Sequence, residues 1–314
     1  MRDYADLRDG AVSALGRLTA SGQDIIVMVA DSTSTSKIGP FMKDYPERVI
    51  NVGIAEQNMV GMAAGLALGG HIVFTANAAP FLVGRANEQV KNDVCYSGTN
   101  VKMLGLNAGV AYGPLASTHH AIDDLSIMSG FGNVQIFAPC DEVEVVQMID
   151  YAASFDGPVY IRLDNAKFPV VHDASYRFVP GRPDVLIEGS RVAVVAMGSV
   201  VGEALDACET MQKESGMSPT LVNLSSLRPL DQDALAAIIE RHDAIVTVEE
   251  HSLHGGVGAT VAVLMARRQI NRPLTMLGIT EGEFAKYGTR KGIRRHYGID
   301  AAGIADAIRA QRAN

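Results

Sequence analysis

Along the first half of the chain, short runs of apolar and β-branched residues alternate with longer stretches whose apolar positions recur at helical spacing. The runs predict strands at Ile25–Ala30, Val49–Val52, His71–Thr75, Val101–Leu106, Val134–Phe137 and Val159–Leu163. Between them the spacing predicts helices over Asp6–Ala20, Glu56–Leu68, Phe81–Ser97 and Asp141–Ala153. A helix between successive strands lets the chain return parallel to itself, so the pattern predicts a mostly parallel sheet covered on both faces. The rhythm breaks over Val171–Leu186, where Pro180, Gly181 and Pro183 punctuate a stretch without periodicity. A second alternation follows, with strands at Val192–Ala196, Thr220–Leu224, Ala244–Glu249 and Leu274–Gly278 and helices over Val200–Gln212, Gln232–Glu240, Gly256–Arg267 and Ala302–Arg312. The expectation is an α/β protein of two doubly wound domains, 1–175 and a smaller 189–314, joined by a linker at 176–188.

Composition narrows the class. A chain of 314 residues can bury two cores, and 47% hydrophobic against 20% charged residues leaves no disordered portion to explain. The formal charge of −8 argues against a nucleic-acid surface, which needs clustered cations. The one basic cluster, Arg290, Lys291, Arg294 and Arg295, is expected on a solvated face. Three widely spaced cysteines encode neither a disulfide framework nor a CxxC metal site. The polar opening MRDYADLRDG is unlike a signal peptide, and the longest apolar run, Val60–Gly70, is too short and glycine-rich to span a bilayer. A cytoplasmic enzyme is the expectation.

In doubly wound sheets ligands collect at the carboxyl ends of the strands. Asp31, Glu56, the Thr75–Phe81 loop, the Asn107–His119 loop and Asn165 all follow strands here. Glu56 opens a helix rich in Gly, Ala and Met, where a carboxylate serves either as a cap for the helix dipole or as a reagent. The run DSTSTSK, Asp31 to Lys37, reads equally as a ligand loop or as a self-satisfied turn. Phe81 at helical spacing suits a core, and Asp123 and Asp124 suit the start of a helix. His119 and His120 are adjacent, with neither HxxxH nor HxH spacing, so metal binding is a weak reading beside acid–base work or substrate hydrogen bonding. The GGVG of Gly255–Gly258 lacks the third glycine of a dinucleotide turn and suits packing. His251 and His254 have no assigned role.

Taken together, these segments resemble the C-terminal half of a transketolase. The resemblance rests on GIAEQNM and its small-residue helix, APFLVGRANEQV, STHH, DGPVYIR, SLRPLD and VTVEEHSLHGGVG, in that order along nearly the whole chain. It implies a pyrimidine-binding domain followed by a transketolase C-terminal domain, with thiamine diphosphate as cofactor. Glu56 would then hydrogen-bond the cofactor's pyrimidine and promote its activation. Phe81 matches a position that stacks on that ring, Arg85 lies near another pyrimidine-side position, and Asp31 matches an acidic residue near the thiazolium. His119 matches a histidine near the reacting carbonyl, Arg8 an arginine that holds sugar phosphate, and Thr35 stands near a phosphate-binding serine. No metal ligand is assigned to this chain.

The family holds the diphosphate and its Mg2+ or Ca2+ through a GDG motif and a downstream Asn, and no GDG occurs in this sequence. The resemblance therefore implies a split enzyme: an N-terminal partner subunit carrying that motif, an α2β2 heterotetramer, and no activity for this chain alone. At the substrate end Leu115 stands where the family has an Asp, Asn107 where it has a His, and Asn165 where it has an Arg. Loss of a charge-assisted phosphate contact there puts an ordinary pentose phosphate in doubt and favours a smaller, unphosphorylated or otherwise modified acceptor. Ketol transfer leads; acyl transfer after 2-oxo-acid decarboxylation, as in deoxyxylulose-phosphate synthase or E1 β subunits, and a non-catalytic regulatory paralogue stay open.

Overall fold

Strands form where the apolar runs stand, and the central ones, Ile25–Val29, Val101–Leu106, Val159–Arg162 and Val192–Ala196, are buried at every position. The computed structural model describes residues 2–280 and 282–311. Its strands are β1 (Tyr4–Asp6), β2 (Ile25–Val29), β3 (Val49–Asn51), β4 (Ile72–Ala78), β5 (Val101–Leu106), β6 (Gln135–Phe137), β7 (Val159–Arg162), β8 (Lys167–Pro169), β9 (Asp184–Ile187), β10 (Val192–Ala196), β11 (Thr220–Asn223), β12 (Ser226–Arg228), β13 (Ala244–Ser252) and β14 (Leu274–Ile279). Seven make one sheet in the order β12-β6-β7-β5-β4-β2-β3, parallel except for β12. Five make a second in the order β14-β13-β10-β11-β9, parallel except for β9. The α/β class with two mostly parallel sheets is as the alternation predicts.

Alternation along a strand decides which core each residue joins. Ile25, Val27 and Val29 of β2 face one layer with Leu7, Ala11 and Leu15 of the helix Leu7–Ala20 and Val145, Met148 and Ile149 of the helix Glu142–Ser154. Ile26 and Met28 face the other, with Met59, Val60 and Ala63 of the helix Glu56–Leu68. That second layer also takes in Val195, Leu235 and Ile239, so one continuous core joins the two sheets. A third core packs the helices Val201–Ser215 and Ala301–Ala310 on the far side of the second sheet. The Arg312 end of the last expected helix lies outside the described residues. No helix among the described residues is long and apolar enough to cross a membrane.

Several elements are not visible as periodicity. The run expected as one helix over Phe81–Ser97 is wound as π-turns over Pro80–Arg85 and Val90–Tyr96, with a short α segment between. Strand β12 leaves the second half of the chain to pair with β6 of the first sheet, and Ala138 N–H donates to Ser225 O. Strand β9 lies within the Pro- and Gly-punctuated stretch and closes the edge of the second sheet. The cluster Arg290 to Arg295 is corrected in part: Lys291 and Arg295 are exposed, but Arg290 and Arg294 turn inward onto Glu250.

Between the halves, His172 bridges two carboxylates. Its Nδ1 lies 3.0 Å from Asp141 Oδ2, at the N-cap of the helix Glu142–Ser154, and its Nε2 lies 2.9 Å from Asp184 Oδ2, at the start of β9. Burial opposes a charge on the ring, but the two carboxylates outweigh it and raise the His172 pKa to about 10. Cys140 Sγ is 3.9 Å from Nδ1 and its thiol is kept protonated by burial. The Cys140, Asp141 and His172 trio is thus an imidazolium–carboxylate clamp.

Because the folded pKa lies above the ordinary 6.5, this clamp's stabilisation is complete below about pH 6.5 and fades as pH rises through about 10. His172→Gln, which removes the counter-charge of Asp141 and leaves it only the backbone donors of Glu144, Val171 and residue 172, is expected to cost about 3 kcal/mol at pH 6. Denaturant unfolding of both proteins at pH 6, 8 and 10 checks this, the gap narrowing with rising pH; a constant gap contradicts it.

Candidate functional site

The parallel strands β3, β2, β4 and β5 lie side by side, so their carboxyl ends and following loops share one edge of the sheet. Gly53, at φ +72°, turns the chain out of β3, and Glu56 becomes the first residue of its helix. Although it stands in a first turn, its carboxylate is only 3% exposed and its bonds run to side chains: Oε1 accepts from Asn77 Nδ2 at 3.1 Å and Oε2 from Arg85 Nη1 at 2.7 Å. Asn77 is buried on β4, which runs three residues beyond its expected end at Thr75. Sequence reasoning missed this residue, for which the one signal is a lone amide in the apolar strand IVFTANA.

Arg85 also lies over the Phe81 ring, 4.8 Å from its centroid, and the ring meets His119 edge-on at 5.2 Å. Phe81 is therefore only half-buried and forms a wall between the carboxylate and the histidine. Tyr112 adds a second edge contact to His119 at 5.1 Å, and Thr118 Oγ1 lies 2.9 Å from His119 Nδ1. Just ahead of this pair, Ala116 sits at φ 59°, ψ −159°, and its carbonyl accepts N–H from His119 (3.0 Å) and His120 (3.1 Å). A non-glycine residue held there stores about 1–3 kcal/mol of strain. His120 turns the other way, under the loop, with Nε2 donating to Gly113 O at 3.1 Å; burial lowers its pKa.

One strand over lies a second group. Asp31 is exposed at φ 52°, its N–H donating to Asn51 Oδ1 at 3.1 Å. With Asp9, Thr33, Ser34 and Lys37 it lines an open depression of about 600 Å3. Arg8 commits its guanidinium to Asp6 (2.9 and 2.6 Å) and to the carbonyls of Thr35 (3.0 Å) and Asn165 (2.8 Å). Ser32 Oγ donates to Ala76 O, next to Asn77, and so ties this group to the first. The structure thus gathers Glu56, Phe81, Arg85 and His119 into one contact chain and sets Asp31, Thr35 and Arg8 beside it. Leu115, 53% exposed, sits on the loop before His119.

In the second half, the GGVG turn is occupied by the protein itself: Glu249 accepts from Val257 N (2.8 Å) and Gly258 N (2.9 Å) at the start of the helix Val257–Arg268. Burial pushes the Glu249 pKa up to about 7, against the pull of those amides. His251 is fully buried, pinned between Leu125 N and Ser252 O, and burial lowers its pKa to about 4. Asp124 begins a helix as expected, and it also holds Arg162 and Tyr160.

The sequence profile described as transketolase, pyrimidine binding domain, matches residues 3–170, and that described as transketolase, C-terminal domain, matches residues 181–304. An apulose-4-phosphate transketolase subunit of Actinobacillus succinogenes is 54% identical over 91% of this chain and 92% of its own length. Its namesake from Phocaeicola vulgatus is 35% identical over 95% and 94%. A solved structure described as a split gene transketolase, inactive beta4 tetramer, is 35% identical, with a TM-score of 0.89 over 98% of both chains.

Gly109, at φ +61°, passes so close to Glu250 that an added Cβ would meet Oε1 and lie 2.8 Å from Cγ. Gly109→Ala should lower the unfolding free energy by more than Gly22→Ala, whose φ of +93° is strained but whose surroundings are open. The expected excess is about 1–3 kcal/mol, read by denaturant titration of the two variants.

Proposed function

The chain belongs to the transketolase family, and from that premise we propose that it is the C-terminal subunit of a two-chain, thiamine diphosphate-dependent transketolase that moves a two-carbon ketol unit from a ketose to an aldose. The observation that carries the reading is the buried Glu56 carboxylate, held by Asn77 and Arg85 beside the Phe81–His119 wall. An aminopyrimidine fits this donor set: a ring nitrogen meets the carboxylate, and the flat face meets an aromatic side chain. When bound, the cofactor supplies the electron sink for carbon–carbon cleavage.

This chain's residues supply the surroundings. Glu56 Oε would hold a proton shared with the ring nitrogen, and its burial keeps that proton from exchanging with water. Asn77 fixes the carboxylate's orientation. His119, braced by Thr118 and Tyr112, would bind the substrate's carbonyl oxygen, with Asp31 near the cofactor and Arg8 and Thr35 toward a phosphate. Arg8 already braces two loops, so Lys37, which contacts Asp6 and Asp9, is the more adjustable cation at that end.

The diphosphate and its Mg2+ or Ca2+ would be held by an N-terminal partner bearing GDG, in an α2β2 assembly. The description of the split-gene relative as an inactive β4 tetramer supports a requirement for the second chain. For the ketose we propose apulose 4-phosphate, for which the 54% identical relative is named. Leu115, Asn107 and Asn165 speak against an ordinary pentose phosphate; apulose 4-phosphate is compatible with them only as a modified substrate, since their own pull is toward a lost phosphate contact.

Reconstitution tests the reading. Ketol transfer from apulose 4-phosphate should require both chains, thiamine diphosphate and Mg2+, and Glu56→Gln should lower kcat by about 10²–10⁴ while leaving subunit association intact. Full turnover by the single chain, or by the pair carrying Glu56→Gln, overturns it; release of CO2 from pyruvate instead points to acyl transfer.

A further inference from the structure

Glu250 is fully buried on β13, yet it answers to both halves of the chain. Its Oε1 accepts from Val110 N at 2.8 Å and Arg290 Nη2 at 2.8 Å, and its Oε2 accepts from Arg290 Nε at 3.0 Å and from Arg294 Nε. Arg290 in turn pairs both Nη groups with Asp164, just past the end of β7, and reaches Ser199 Oγ at 3.0 Å. Burial opposes the charge, but Arg290 and Arg294 outweigh it and hold the Glu250 carboxyl below the usual carboxylate range. A buried cluster of this kind gains little stability over apolar packing of the same volume, because its desolvation cost is large. What it does specify is geometry.

Two arms leave the cluster toward the site. Through Val110 it grips the neck of the loop that ends in His119: Gly109 and Ala121 close that loop with reciprocal bonds of 3.0 and 2.8 Å. Without a Cβ, Gly109 lets the carboxylate reach the neck. Through Arg290 it holds Asp164, whose Oδ1 accepts Asn165 N at 2.7 Å; Asn165 O then accepts Arg8 Nη2, and Arg8 Nη1 donates to Thr35 O. One carboxylate of the second half is thereby connected to both loops of the first half that face substrate. Arg294, on the same carboxylate, runs instead to Ser199 and Glu203 and has no arm into either loop.

We infer that Glu250 and Arg290 are positioning residues, through which the C-terminal domain sets the 31–37 and 109–121 loops for substrate. The inference rests on those loops being the substrate edge proposed above. Neither residue touches the Glu56, Phe81 and Arg85 group, and the two arms end at Thr35 and Val110, short of Asp31 and Phe81, so the effect falls first on substrate.

In the reconstituted pair, Glu250→Gln and Arg290→Lys should each raise KM for the ketose about tenfold, the loss of one charge-assisted contact in positioning. Thiamine diphosphate affinity should stay unchanged. Hydrogen exchange at Val110 and along 109–121 should quicken in both variants, and along 31–37 in Arg290→Lys, measured on the isolated chain without any assay of turnover. Gly22→Ala, strained at φ +93° but remote from the cluster, is the control: it should lower Tm without moving KM or the exchange of either loop. Lower Tm with unchanged KM and unchanged loop exchange in the first two variants overturns the inference, as does an equal rise in KM in the control. If the wild-type pair shows no ketol transfer at all, the functional reading fails while the exchange experiment still decides the coupling.

Discussion

A carboxylate buried where a strand meets a helix must find partners or remain neutral, and the arrangement around Glu56 follows from that demand. The buried face of the helix it opens, Met59, Val60, Ala63 and Ala64, supplies none. Its partners come from the next strands of the sheet: Asn77 from β4 and Arg85 from the π-wound turn that follows. Both positions depend on unusual local structure. β4 must stay extended past Thr75 to bring Asn77 beside Glu56, and Phe81 and Arg85, four residues apart, share one face of the π-wound turn. Wide turns of this kind are commonly found at functional sites. Phe81 then carries the contact onward to His119, so a strand end, a π-turn and a strained loop converge on one carboxylate.

Legibility in the sequence tracks the range of the forces involved. Strands such as Val101–Leu106 and Val192–Ala196 and helices such as Glu56–Leu68 and Gln232–Glu240 are readable to the residue, because their signals lie within the element itself. β12 is three residues, and its place in the sheet is set by a partner about ninety positions earlier, Gln135–Phe137. Arg290 and Arg294 look solvated in the sequence because their carboxylates, Asp164 and Glu250, are distant along it. For the site, Glu56, Phe81 and His119 stand out through resemblance to a known family. Asn77 does not, since an amide near a strand end reads as the start of a loop.

The second half of the chain is not a detached unit. Its β12 extends the first sheet, its apolar face shares a core with the helix Glu56–Leu68, and His172 and Arg228 add polar ties across the junction. The turn that looks most like a ligand loop, GGVG, is filled by Glu249, and His251, whose ring lies against Gly256, is fully buried with its pKa lowered by burial. With those candidates absorbed by packing, the polar groups of the second half that remain in touch with the site are the ones that cross to it.

Apolar packing alone can join two sheets, but it tolerates small rotations and slips, because dispersion contacts are individually weak and undirected. Forked bonds from an arginine to two carboxylates tolerate neither. At the junction both kinds are present: the shared core supplies attraction, while Glu250, Arg290 and Asp164 fix how the loops above β5 and β7 sit relative to the second sheet. Directional bonds are found where loops need aiming and undirected ones where layers need only hold together. That division explains why so many buried charges collect at the one boundary that faces the site.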